Sequence, residues 1–421
     1  MHEPGTDHGE RLAQWTERAL AASVLCASSP VLLEDLLRRR RKWSLHWQER
    51  VGKQRKPFRI PTLPTPDDAP RRLRLGAKAL ALWPLLTGKM RLVGPRPLRP
   101  EELKGISADS PRLQVEPGIL SAYRARQLAN VAFDDENSIE EEYARGRSLR
   151  RDANLLLSAA MGWLLHRPEE ASEHELELAQ VPIARISTRE AIERIVGYLD
   201  QPTPRFVAFV NAHCANLAWT RRDYREVLQT ADLVLADGIG VRLASVLHQR
   251  PVPENVNGTD LLPRLLPRLA GRRLYLLGAA PGVAVEVARR LRQQHPELVL
   301  VGARSGYFKP EEERQVVQDI AESGAELLLV AMGVPAQEMF IARNLHRLNV
   351  RVAIGVGGLF DFVAERIPRA PIWMRELGLE WVYRLVQEPQ RMWRRYLLGN
   401  VSFMARALRE RRARRSTGGL R

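Results

Sequence analysis

Residues Arg273 to Met332 read RLYLLG-AAP-GVAVEVARRLRQQ-HPE-LVLVGA-RSGYFK-PEEERQVVQDIAE-SGA-ELLLVAM. Three short runs rich in Leu and Val, Arg273–Gly278, Leu298–Ala303 and Glu326–Met332, are separated by two stretches, Gly282–Gln294 and Pro310–Glu322. The short runs suit buried strands. The stretches between them space their apolar residues three and four apart, as one face of a helix does. The same texture extends outward. Val350–Val356 follows it, and Arg205–Val210 and Leu233–Ala236 precede it. Strands alternating with helices imply βαβ units, hence a Rossmann-like parallel sheet covered by helices on both faces. Ligands of such sheets bind at the carboxyl ends of the strands. Asn211, Asp237, Gly278, Gly333 and Gly357 end those strands and are the first site candidates.

Each candidate has two readings. The amide of Asn211 can bond a sugar or a phosphate, or it can close a strand-end turn. Asp237, in A-D-G-I-G-V, can take a proton from a hydroxyl, or it can cap a helix. Gln337, in G-V-P-A-Q-E, stands at a helix start, where free N–H groups suit anions. It also fits an ordinary strand-to-helix connection. The stretch from Glu380 to Tyr396 is less ordinary, since Arg384, Arg391 and Arg394 interleave with Trp381, Leu385 and Trp393. Guanidinium forks match phosphate oxygens, and the apolar side chains between them suit a membrane interface. The plainer alternative is a solvated helix packed by its aromatic side.

The chain has 421 residues, enough for two domains, and 45% of them are hydrophobic, so it is not a disordered protein. Its net charge of +16 calls for an anionic partner: nucleic acid, a membrane surface or a phosphorylated substrate. Cys26 and Cys214 form no C-x-x-C pair, which argues against a disulfide framework or a zinc site and fits a reducing cytoplasm. The polar start, Met1 to Glu10, is not a cleavable signal. No apolar run reaches the ~18 residues of a spanning helix. The nearest, Ala19 to Leu37, is interrupted at Ser28-Ser29-Pro30 and followed by Arg38 to Lys42. It reads either as a segment lying on a bilayer or as an amphipathic core helix. Pro57 to Pro70 reads as loop, and His166 to Glu177 as a linker. Residues 1–170 therefore form one expected domain, 180–400 a second with a helical appendage at its end, and 401–421 a basic tail.

Taken in order, the motifs resemble the WecG/TagA/CpsF family, glycosyltransferase family 26. They are V-N-A-H-C-A-N at Asn211, A-D-G-I-G-V at Asp237, N-G-T-D from Asn257, L-L-G at Gly278 and G-Y-F from Gly306. G-V-P-A-Q-E at Gln337, G-V-G-G-L-F-D-F from Gly355, R-A-P at Arg369 and G-L-E-W-V-Y-R-L from Gly378 complete the set. The resemblance implies inverting transfer from a UDP-sugar to a polyprenyl-diphosphate-linked acceptor in exopolysaccharide or cell-envelope synthesis. It implies no cofactor and no metal, and no D-x-D motif stands at a strand end. Asp237 is then the general base, Asn211 and Gln337 bind substrate, and Arg384, Arg391 and Arg394 lie over the diphosphate. The implied donor is a hexose, an N-acetylhexosamine or its uronic acid. Three departures touch the donor and acceptor contacts: Phe209 where Thr is frequent, Ala336 where Lys is common, and Asn255 where Arg is usual. The implied location is the cytoplasmic face of the bacterial inner membrane, peripheral or monotopic. The implied partners are the membrane surface and either a second copy of the chain or a partner transferase, with no nucleic acid.

The first half is similar to the bacterial sugar transferases, which are monotopic polyprenyl-phosphate phosphoglycosyltransferases of α/β type. Q-E-R-V-G from Gln48, P-F-R-I from Pro57, L-V-G-P-R-P from Leu92, V-E-P-G-I from Val115 and S-L with Asp152 carry that resemblance, and Ser29-Pro30 matches the break in that family's re-entrant helix. Its catalytic Asp-Glu pair falls on Ala77 and Lys78, which hold no carboxylate. A carboxylate nucleophile has no substitute there, so this half is expected to be a non-catalytic remnant that docks on a membrane or, through Arg96, on a lipid diphosphate. The alternative for the whole chain is a non-catalytic membrane adaptor or scaffold for polysaccharide assembly.

Overall fold

The computed structural model describes the chain except residues 1–4, 40–44, 64–70, 130–134, 166–174, 372–373, 376–377 and 419–421. It divides into two compact units, the first ending at Gly162 and the second running from Trp163.

The first unit opens with one helix, Gly5–Arg39, that continues through Pro30 without the expected break. Proline removes the N–H that would bond the carbonyl four residues back, at Cys26. The hydroxyl of Ser29 donates to that carbonyl at 2.8 Å and satisfies it. Glu17 on this helix accepts from Arg91 Nε at 2.8 Å and from the backbone N–H of Leu92 at 3.2 Å. Strands β1 (His46–Val51) and β2 (Pro57–Thr62) form an antiparallel hairpin, so the first part of the expected Pro-rich loop is a strand. Prolines are tolerated there because each strand of a two-stranded hairpin keeps one edge free of ladder bonds. Strand β3 (Arg91–Val93) runs parallel to β4 (Gly118–Leu120). Gly94 and Gly118 cross so closely that a Cβ on Gly118 would lie 2.0 Å from the Gly94 nitrogen, which is why both motifs carry glycine here. Three helices, Ala122–Ala129, Glu136–Arg145 and Leu149–Leu165, complete the unit. Asp152 is a packing residue, accepting from the buried Tyr143 hydroxyl at 2.5 Å. Arg96 is held by Glu136 at 2.7 Å and by Glu102 at 3.2 Å, so its charge is already answered within the fold. Ala77 is buried and Lys78 exposed on the Arg71–Ala79 helix. No helix among the described residues is long and apolar enough to cross a membrane.

The second unit is the expected α/β fold. Six strands, β7 (Arg205–Val210), β8 (Leu233–Ala236), β9 (Arg273–Gly278), β10 (Val299–Arg304), β11 (Leu327–Ala331) and β12 (Val352–Gly355), form one sheet. Their order is β10-β9-β11-β12-β7-β8, and every neighbouring pair is parallel. Side chains alternate between two cores, one on each face. Phe206, Ala208 and Val210 enter one, while Val207 and Phe209 enter the other. Burial on both faces explains the uninterrupted apolar runs. A small hairpin, β5 (Leu176–Leu178) with β6 (Val181–Ile183), precedes the sheet. The expected linker therefore ends before Leu176, and its residues 166–174 lie outside those described. Leu176 and Leu178 are fully buried on either side of exposed Glu177, a period-two signal too short to stand out in a polar stretch.

The segment past residue 400 is not a free tail. The Gly399–Gly418 helix buries Phe403 and Ala407 in the core beneath β7 and β8. Asn216 donates to Gly399 O at 2.8 Å, Arg406 returns a bond to Asn216 O at 3.0 Å, and Trp219 donates to Glu410 at 3.2 Å. The many arginines hid an apolar face only two residues deep.

Candidate active site

The site gathers at the carboxyl ends of β7 and β8. Asn211 follows β7 and caps the Ala212–Thr220 helix: its Oδ1 accepts from the N–H groups of His213 at 3.0 Å and Cys214 at 3.2 Å. Its remaining amide group donates to Asp237 Oδ2 at 3.3 Å. Asn211 is therefore both a cap and the orienting partner of the next strand-end residue.

Asp237 follows β8 directly and is half-buried, with its N–H bound to Val210 O at 2.9 Å. The following Gly238 has φ +89°, a conformation that glycine adopts without strain, and its N–H bonds to Asn255 Oδ1. That bond is what Asn255 does at its position. The Asp237 side chain does not cap the Ile239–Leu247 helix, whose cap position is Gly238. Desolvation raises the Asp237 pKa above the ordinary carboxylate value. The bond from Asn211 and the charges of Arg395 and Arg384 pull it back, while Asp260 pushes it further up.

Asp260 is buried at the start of the Gly258–Leu265 helix, where Asn257 is the cap and donates to it at 2.8 Å. Arg369 Nη2 donates to Asp260 Oδ1 and, at 3.1 Å, to Thr259 Oγ1. Glu380 lies 4.0 Å from Arg369 Nε. Loss of solvent raises the Glu380 pKa, the Arg369 charge lowers it, and the charges of Asp260 and Asp237 raise it further. Three carboxylates and a set of guanidinium groups thus share one electrostatic neighbourhood.

The arginines divide. Arg384, on the Glu380–Gln387 helix, stacks over the Phe362 ring at 5.1 Å, and its buried Nε has no hydrogen-bond partner among the described residues. The guanidinium lies beside Gly358, where a Cβ would stand at ordinary contact distance, 3.6 Å from Nη2. Pro389 opens a new short helix after the kink at Glu388, and a π turn spans Arg394–Leu398. Arg394 is exposed and stacked on Trp393 at 5.3 Å, whereas the charge of Arg395 acts on Asp237 and His213. Burial and that charge push the His213 pKa down to about 4, so its ring is neutral at ordinary pH. The Arg391 side chain lies outside the described part of its helix.

Gln337 is 2% exposed and turned into the fold. Its Oε1 accepts from the N–H of Gly357 at 2.9 Å, and its Nε2 donates to Glu338 Oε1 at 2.7 Å. It holds the glycine loop after β12 in place. Glu338 beneath it is fully buried, and desolvation lifts its pKa to about 7. Among the residues singled out from sequence, the structure brings together Asp237, Asn211 and Arg384. It sets Gln337 one layer below and Arg394 outside. It adds Arg395, Asp260, Arg369 and Glu380. The last three lie in quoted motifs, so order along the chain carried a signal that no single residue did. Arg395 could not be told from its neighbour, because helical register cannot be counted through Pro389 and the π turn.

This assembly can do two things chemically. A carboxylate at a strand end, oriented by an amide and made more basic by desolvation, can accept a proton. Guanidinium groups beside it can stabilise oxyanion charge. The Glycosyl transferase WecG/TagA/CpsF family model matches residues 176–417, and the Bacterial sugar transferase model matches residues 71–166. An N-acetylglucosaminyldiphosphoundecaprenol N-acetyl-beta-D-mannosaminyltransferase of Bacillus spizizenii is 35% identical over 218 residues, covering 51% of this chain and 83% of that protein. One of the same description from Bacillus subtilis is 35% identical over 202 residues, covering 48% of this chain and 78% of that protein. The fold, the residues at its strand ends and these likenesses agree that the chain belongs to the WecG/TagA/CpsF family and is a glycosyltransferase.

Proposed function

We propose that the chain transfers a sugar, with inversion and without a metal, from a UDP-sugar to a polyprenyl-diphosphate-linked acceptor at the cytoplasmic face of the inner membrane. One observation carries this reading: Asp237 stands at a strand end, bonded to Asn211, with the charges of Arg384 and Arg395 acting on it. Asp237 takes the proton of the acceptor hydroxyl as that oxygen attacks the anomeric carbon. The bond from that carbon to the diphosphate oxygen breaks, and its electron pair leaves with UDP. Arg384 and Arg395 answer the charge that grows on the leaving group. Gln337 acts at one remove, by holding the loop at Gly357.

The two relatives are named for N-acetylmannosaminyl transfer to an N-acetylglucosamine carried on undecaprenyl diphosphate. That pair is the first substrate choice. Trp393, Leu397, Leu398 and Val401 are exposed on the C-terminal segment beside Arg394, a surface suited to the interface where such an acceptor lies. The first unit serves as a non-catalytic module, since Ala77 and Lys78 supply no nucleophile. A panel of UDP-sugars with synthetic N-acetylglucosaminyl diphosphate lipid, read by product mass, tests the reading. The expected product is the acceptor plus one N-acetylhexosamine. No product from any donor would sink it.

A further inference from the structure

Glu338 follows Gln337 on the Ala336–Asn344 helix and is fully buried. A carboxyl in such a place costs stability that an apolar side chain of the same size would not. Its Oε2 has no hydrogen-bond partner among the described residues, so the fold gains nothing from that oxygen. The titratable groups on which its charge acts are Cys214, on the Ala212–Thr220 helix, and Tyr224, on the Arg222–Gln229 helix. Burial raises the pKa of both, so neither brings a charge to pair with it. What the carboxyl does provide is Oε1, which takes the 2.7 Å bond from Gln337 Nε2.

That bond leads, through Gln337, to the site. The other end of the Gln337 amide accepts from the Gly357 N–H at 2.9 Å. The amide lies against the end of β12, where a Cβ on Gly355 would stand 2.9 Å from Nε2 and push it aside. Gly357 takes φ +57°, and the next residue, Gly358, caps the Leu359–Val363 helix. Arg384 rests on this turn: its Nη2 lies beside Gly358, and its guanidinium covers Phe362 of the same helix at 5.1 Å. An apolar side chain at 338 would leave Nε2 buried without an acceptor, and the amide would have to leave Gly357 to find one. Groups that stabilise a reaction are held to within about 0.5 Å by such supporting bonds. A displacement of about 1 Å costs on the order of 100-fold in rate.

We infer that Glu338 is a positioning residue for the transfer: through Gln337 it fixes the Gly357–Gly358 turn on which Arg384 rests, and so sets that cation over the leaving diphosphate. This rests on the transferase reading above. The test uses the full chain, UDP-N-acetylmannosamine and a short-chain N-acetylglucosaminyl diphosphate lipid, below the melting temperature of every variant. Glu338→Met should lower kcat/KM for the UDP-sugar by roughly 10- to 100-fold, while the KM for the acceptor stays within about twofold. Glu338→Gln keeps an oxygen that accepts from Gln337 and should recover kcat/KM to within about threefold of the parent. Added to Arg384→Ala, Glu338→Met should deepen the loss by less than about twofold, because both changes act on one contact. Glu338→Ala carries the same predictions should the Met variant not fold. Parental kinetics in Glu338→Met, a Gln variant no better than the Met one, or losses that multiply with Arg384→Ala would each make Glu338 a packing residue and overturn the assignment. Transfer by the parent protein is the control. Its absence would sink the transferase reading and this assignment with it, whereas normal parental transfer with any of those three results sinks the assignment alone.

Discussion

Replacing Glu338 by Gln should stabilise the second unit at alkaline pH and leave it unchanged in acid. Glu338 is fully buried, its Oε1 takes a bond from Gln337, and its buried Oε2 has no partner among the described residues. Desolvation lifts its pKa from 4.5 to about 7, which corresponds to on the order of 3 kcal/mol. The sign follows from linkage. Below the unfolded value both states are protonated, and the carboxyl leaves stability untouched. As pH rises toward the folded value the unfolded chain ionises first and gains, so the native state loses that amount by about pH 8. Glutamine keeps the carbonyl that accepts from Gln337 and carries no charge. The difference between variant and parent should therefore grow from near zero at pH 4.5 to on the order of 3 kcal/mol at pH 8, or roughly 5–10 °C in the melting of that unit. Thermal denaturation across this range reads it directly. An offset independent of pH, or a variant less stable at pH 8, would refute the argument that an unsolvated carboxyl is being forced to ionise.

Three further outcomes follow from the geometry. Arg395→Ala should lower turnover by roughly 10- to 1,000-fold, while Arg394→Ala stays within a few-fold in steady-state assays. The reverse order would place the wrong guanidinium at Asp237. Asn211→Ala should cost about 1 kcal/mol through the lost helix cap. It should also move the acid limb of kcat/KM to higher pH, because the bond that holds the Asp237 pKa down is gone; an unmoved limb would disconnect Asn211 from the base. Phe403→Ala should destabilise the second unit by about 3–5 kcal/mol in chemical denaturation, as a buried aromatic does, and a change under 1 kcal/mol would return the C-terminal helix to the status of a tail.

The sheet was legible because its strands are buried on both faces and so read as unbroken apolar runs; each observed strand lies within a residue or two of where the Leu and Val runs place it. Asp237 and Asn211 were legible for the same reason, as the first polar residues after such runs. Gln337 was found, but not its direction. An amide at a helix start looks the same in sequence whether it faces a ligand or a buried neighbour, and here Glu338 and Gly357 claim both of its ends. Short or diluted signals were lost: Leu176 and Leu178 alternate over three residues only, and Phe403 and Ala407 sit among arginines. Pro30 reads as a break in sequence because composition does not show that Ser29 can satisfy the carbonyl a proline leaves open.

The proposed transfer depends on one proton acceptor. Asp237→Asn keeps the shape of the side chain and removes the acceptor oxygen's charge, so turnover of UDP-N-acetylmannosamine with the lipid-linked acceptor should fall by roughly 10²–10⁴-fold, while UDP affinity measured by calorimetry stays within a few-fold of the parent. Turnover within a few-fold of the parent, with UDP bound as before, would contradict it.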